Sequence, residues 1–284
     1  ANAGASPENW FRNEANKKLY SNHFRRDFIP APEKMEQVKL DAAYQIFRDR
    51  FADAGDFTFV LTGSFDVEQI KPLLATYLGS LPSAGRKESW KDVGAPIPSA
   101  MTETFRKGSE PKSQVILQFN GPFEWTPQNR FMLNNALQVL NIMMRESMRE
   151  EKGGVYGVGA NASSQRDPRS RYAVNITFTC SPDNAESLIQ TALTDAANLV
   201  KDGPSEKNLQ KIKEIQLKEL EVNVQENDWW IEQLAFSYQY GGDPEALLNL
   251  KSKIEAVTAA DVQAAAKRYF DPARLARMVL LPEM

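Results

Sequence analysis

The feature that most constrains the fold is a unit that occurs twice. Residues 38–54, "VKLDAAYQIFRDRFADA", space apolar side chains as a helix does and run into "DFTFVLTGS", whose alternation predicts a strand with one buried face. At the other end of the chain, "VTAADVQAAAKRYFDPA" leads in the same way into "RLARMVLLPE". An ungapped shift of 219 residues places Val38 on Val257, Phe51 on Phe270, and Val60 and Leu61 on Val279 and Leu280. Identity between the copies is low, so the shared order of parts carries the reading.

Between the copies lies "PSAGRKESWKDVGAPIPSA", residues 82–100, rich in proline, glycine and serine and read as an interdomain linker. Beyond it the pattern predicts strands near 101–108 and 113–121, a helix over about 127–151, strands near 154–166 and 171–180, several helices and a last strand. The expected organisation is a partial first α+β domain over 1–81, a linker over 82–100 and a complete α+β domain over 101–284, with hairpin-like strand neighbours and helices covering one sheet face. A helix-and-strand ending that follows so few residues implies that the first copy begins inside a repeat. The native protein is therefore expected to be longer, or a partner chain to supply the remainder.

Composition excludes some functions. The net charge of −3 and a pI near 5.5 give no broad basic field for a phosphate backbone, although the local cluster "HFRR" exists, so nucleic acid is not an expected partner. No apolar run reaches the length that spans a bilayer, and the opening "ANAGASPENWFRNEANKK" lacks the pattern of a signal peptide, so membrane insertion is not expected. The chain opens on Ala1, as a processed product or an excised piece would. One cysteine, Cys180, forbids an internal disulfide without fixing a compartment.

The usual catalytic constellations are missing from the sequence. His23 is the one histidine and is read as a surface or loop residue; neither H-E-x-x-H nor H-x-x-E-H occurs, so the chain by itself supplies no usual catalytic zinc set. "GGVYGVG" lacks the lysine ending of a P-loop and precedes a strand. The alternating charges of "KNLQKIKEIQLKELEVNVQEND" read as a solvated helix face, and the aromatics of "WWIEQLAFSYQY" as core packing. What remains is "MREEKGGVYGVGA", residues 148–160. Its bland reading is a helix end: Arg145 and Arg149 favoured by the helix dipole, and Gly153 or Gly154 in the left-handed conformation that stops the helix. Its functional reading is that the glycine turn brings the Arg149 guanidinium and the Tyr156 phenol to one cleft. There two donors would grip a peptide carbonyl and stabilise charge developing on its oxygen.

With "REEKGGVY" in a helix, turn and strand setting, and with "DFTFVLTGSFDVEQIKPLLATYLGSLP" before the linker, the chain resembles the pitrilysin/insulinase-like zinc peptidases, the inverted zincins. The likeness runs from about residue 35 to the end. It implies two related mixed α/β domains of that peptidase type, the first incomplete, forming the carboxy-terminal half that lacks the metal. It implies that Zn2+ and H-x-x-E-H sit in a missing amino-terminal half or a partner subunit, zinc polarising the scissile carbonyl and activating water with the motif's glutamate as base. By the same resemblance Arg149 and Tyr156 are the catalytic pair, and with Gly153 and Gly154 they form the substrate-binding stretch for a peptide or unfolded polypeptide. The chain alone is then inactive, and a bacterial periplasmic setting follows from some members. The rival expectation is a non-catalytic peptide-binding or scaffold subunit, as some relatives are.

Overall fold

A computed structural model describes residues 6–26, 30–150 and 155–283, with the backbone alone of residues 149, 150, 155 and 156. In chain order the elements are α1 (Pro7–Leu19), α2 (Pro32–Glu36), α3 (Leu40–Phe51), α4 (Val67–Tyr77), β1 (Met101–Arg106), β2 (Ser113–Pro122), α5 (Pro127–Met144), β3 (Val155–Gln165), β4 (Arg171–Cys180), α6 (Ala185–Asp202), α7 (Glu206–Asn223), α8 (Asn227–Tyr240), α9 (Leu250–Glu255), α10 (Ala259–Tyr269) and β5 (Leu275–Leu281). They fall into two compact units. The first comprises residues 1–30, 91–212 and 257–284; the second comprises 31–90 and 213–256.

The first unit is built on one mixed sheet of order β1-β5-β2-β4-β3. β5 runs parallel to β1 and antiparallel to β2, and the remaining pairs are antiparallel. The alternation of β4 sets its facing: Tyr172, Val174, Ile176, Phe178 and Cys180 are buried, and the residues between them are half-exposed. The buried row packs with α5, α6 and α10 into the main core, around Leu117, Phe119, Leu140, Ile189 and Leu199. Each such side chain contributes on the order of 1.5–3 kcal/mol of burial.

Local chemistry delimits these helices. α5 starts at Thr126, whose hydroxyl accepts from the Asn129 backbone N–H at 3.0 Å, with Pro127 at the first helical position. α10 starts with a full capping box between Thr258 and Asp261. α6 stops at Gly203, where φ is +75°.

The sheet departs from the expected hairpin order. β1 and β2 are not neighbours, because β5 lies between them. The reason is in its composition: β5 buries residues on both faces, which requires a central place in the sheet. A second departure is that helices cover part of the other face too. α1 lays Phe11, Ala15 and Leu19 on Ala276, Met278 and Leu280, closing a smaller core with Phe105 and Ile116 at its margin.

In the second unit the expected strand over "DFTFVLTGS" acquires no ladder: residues 57–62 pair with no strand among the described residues, and Phe57, Phe59 and Leu61 stay exposed. The segment before it is held by Asp53, whose carboxylate accepts from the backbone N–H groups of Gly55, Ala84 and Arg86 at 2.9, 3.0 and 3.0 Å. These bonds, that of Gly55 first, hold its carboxyl below the usual value. α8 also differs from expectation. Its aromatics do not form a core, since Ser237 is its one buried residue and Tyr238 and Ile231 are exposed. They contact one another instead, Trp229 edge-on to Trp230 and Phe236 tilted against Tyr240, in a unit with little apolar interior to enter.

Candidate functional site

The stretch singled out in the sequence joins α5 to β3. α5 is apolar on its sheet side, burying Leu133, Leu137, Leu140 and Met144. Its last turn widens into a π-helical turn over Arg145–Glu150, with Met148 fully buried. Insertions of this kind re-phase a helix end and are frequent at functional sites. Two polar contacts hold the turn in place. The Ser147 hydroxyl donates to the Asp195 carboxylate on α6 at 2.5 Å, and Lys211 lies 3.9 Å from Glu146. The Asn141 side chain, one turn earlier, donates to the Ala160 carbonyl at 2.9 Å and accepts from the Ala160 N–H at 2.7 Å, tying α5 to the outer edge of β3.

Arg149 therefore sits in the π-helical turn and Tyr156 at the start of β3. In the β3–β4 ladder Val155 faces Cys180 and Gly157 faces Thr179, so Tyr156 is the extra residue of a bulge. Bulges of this type terminate regular pairing and re-aim a side chain next to active sites. Gly153 and Gly154, and the side chains of Arg149 and Tyr156, lie outside the described residues. What is placed is the backbone frame: a widened helix end on one side of the turn and a bulged strand start on the other.

No zinc set is built from this chain's described residues. Among them no group of three or more His, Cys, Asp or Glu side chains is arranged to hold a metal ion. His23 is engaged elsewhere, its Nε2 lying 2.9 Å from the Val93 carbonyl oxygen. The described residues do not fit the metal that the resemblance implies. Among the described residues, no helix is long and apolar enough to cross a membrane.

The sequence reading missed the positioning contacts. Asn141 and Ser147 are polar residues within or just past a largely apolar helix, and that misfit was the available signal. It also missed a polar region on the sheet face opposite the main core. There the Gln118 amide donates to Asn175 Oδ1 at 2.6 Å and the Asn175 amide to Asn161 Oδ1 at 3.3 Å, a ladder across β2, β4 and β3. Single amides scattered over three strands give no local pattern to read.

Comparison with known proteins bears on this frame. A family model described as the peptidase M16 inactive domain matches residues 38–216, a span that holds both Arg149 and Tyr156. A zinc protease PQQL-like protein of Arabidopsis thaliana is 26% identical over 258 residues, 84% of this chain and 27% of that protein. The probable zinc protease PqqL of Escherichia coli is 24% identical over 278 residues, 94% of this chain and 29% of its own length. The crystal structure of the periplasmic protease PqqL from Escherichia coli superposes with a TM-score of 0.83 at 22% identity, covering 99% of this chain and 31% of that one. The chain thus spans less than a third of the length of these relatives. With more than half of its residues matched by the family model, it belongs to the peptidase M16 inactive-domain family.

Proposed function

We propose that the chain is the carboxy-terminal, substrate-binding half of a zinc metalloendopeptidase acting on peptides or unfolded polypeptides. Arg149 and Tyr156 would bind the peptide, with Gly153 and Gly154 forming the turn between them. The observation that carries this reading is the seven-residue step from Arg149 to Tyr156 across a π-helical turn and a strand bulge, inside the span matched by the family model. A guanidinium and a phenol are both strong donors at neutral pH, and neither is a nucleophile. Aimed at one carbonyl oxygen, they would orient the peptide and stabilise negative charge as it develops there. Met148, Ser147 and Asn141 would hold the frame, so that little reorganisation is needed when substrate arrives.

The metal and its ligands belong, on this reading, to an amino-terminal half in the same polypeptide or a partner subunit. The relatives named as zinc proteases, of which this chain matches less than a third, support that assignment. The periplasmic setting of the Escherichia coli protease is carried over as part of the same proposal.

The test is to combine the chain with the zinc-bearing half and follow cleavage of a quenched fluorescent peptide. Arg149→Ala and Tyr156→Phe are each expected to lower kcat/KM by about 10²–10³, the scale for losing one donor to a developing oxyanion. Cleavage at the parent rate in both variants would remove their assigned role. Peptide binding without cleavage in every reconstitution would favour the non-catalytic binding subunit.

A further inference from the structure

Where the sheet's polar region meets the end of α1, a cavity of about 200 Å³ is lined by Tyr20, Arg26, Gln118, Ser163, Gln165 and Arg171, among others. All of these residues lie in the first unit. Two cations pack against the Tyr20 ring: the Arg26 guanidinium carbon is 4.8 Å from its centroid and that of Arg171 is 5.4 Å away. Arg171 donates through Nε and Nη2 to Gln165 Oε1, at 3.2 and 2.8 Å. Among the described residues, neither arginine pairs with a carboxylate and no acidic side chain lines the cavity.

The molecule carries more acidic than basic residues, and several of its other arginines are held by carboxylates. Arg50 and Arg86 share Glu88, Arg169 pairs with Asp92, Arg268 with Glu124 and Arg277 with Glu186. Two partly buried guanidinium groups held beside one ring repel each other, and an anion between them relieves that cost. Their planar forks match a carboxylate better than they match a point charge. Burial raises the pKa of the Tyr20 phenol against the pull of Arg26, so the phenol enters as a neutral donor. Among the lining residues, the side-chain oxygens of Gln118 and Asn120 have no hydrogen-bond partner, while their amide nitrogens donate to Asn175 Oδ1 and to the Arg274 carbonyl. Unsatisfied acceptors suit a ligand that brings N–H donors along with its charge. Pro98, Ala173 and the Tyr20 ring add apolar wall for carbon atoms.

We propose that this pocket binds the carboxy-terminal residue of a peptide, with Arg26 and Arg171 holding its carboxylate and the Gln118 and Asn120 side chains of β2 facing its last peptide unit. That the anion is a peptide end rests on the function proposed above; the two-arginine clamp does not. The site is separate from Arg149 and Tyr156 in sequence and engages a part of the peptide that need not react.

The experiment measures binding of one amino-terminally labelled peptide to the whole chain by fluorescence anisotropy, as the free acid and as the carboxamide. The free acid is expected to bind about 10-fold tighter, the preference fading as salt rises. Arg26→Gln and Arg171→Gln, checked for native circular dichroism, are expected to bring the ratio close to one. Equal binding of acid and amide to the parent chain, which needs no variant, overturns the proposal, as does a preference that survives in both variants. Inorganic phosphate that binds the parent chain and is lost in the variants, with acid and amide indistinguishable, assigns a simple anion site and overturns the peptide end. Failure of the peptidase reading is recognised separately: Arg149→Ala would then cleave at the parent rate in the reconstituted enzyme while the acid-over-amide preference is unchanged.

Discussion

The two copies of the repeated unit have the same pattern and opposite fates. In the second copy, α10 and β5 are enclosed: Phe270 is 2% exposed, Met278 0% and Leu280 3%. In the first, the positions 219 residues earlier are open, with Phe51 61% exposed, Phe59 45% and Leu61 43%. Nothing in the local alternation separates them. β5 is buried because β1 and β2 flank it, because α1 covers one side, and because α10 rests on α5 and α6. Residues 57–62 have no such neighbours among the described residues, and their side chains remain at the surface. An apolar period therefore specifies which side of a strand seeks burial, while the burial itself is supplied by other segments.

The sharpest way to break this comparison is amide hydrogen exchange. The amides of Val279 and Leu280 should exchange only with opening of the whole first unit, on the scale of about 5–15 kcal/mol for a folded domain, while those of residues 57–61 should exchange almost unprotected. Equal protection of both sets in the chain alone would end the comparison.

Truncation gives the next largest effect. Met278→Ala and Leu280→Ala should each cost about 2–5 kcal/mol, while Phe59→Ala and Leu61→Ala should cost under about 0.5 kcal/mol in the chain alone. Labelling of Cys180 is a clean readout for the first unit. Its thiol is fully buried in the core, and burial pushes its pKa up to about 11, so alkylation should report opening of that unit and ignore changes in the other.

The smallest effect sits at the helix starts. Thr258 caps α10 through a capping box, whereas its counterpart Lys39, at the start of α3, makes no side-chain cap bond. Thr258→Ala should cost about 1 kcal/mol in urea unfolding, and Lys39→Thr should slow exchange in the first turn of α3 a few-fold.

Much of the first unit was legible in the sequence because its signals are local and periodic. The alternation of "RYAVNITFTC" gave β4, the apolar periodicity gave a helix from about residue 127, and "VTAADVQAAAKRYF" gave α10. The sheet order was not legible, since the insertion of β5 between β1 and β2 depends on contacts between residues more than 150 positions apart. The candidate site divides in the same way. The Arg149 to Tyr156 step could be read directly, but the π-helical turn and the bulge that frame it arise from how Met148, Ser147 and Asn141 meet α6 and β3.

By itself, then, the sequence determined the elements, their apolar faces, the repeated unit and the arginine-tyrosine step, because each of these depends on residues within a few turns or one strand of one another. The tertiary structure alone decided which apolar face is enclosed, where β5 inserts, and that positions 20, 26 and 171 share one cavity. Burial and charge pairing are properties of neighbours in space, and those neighbours are chosen by packing across the whole chain.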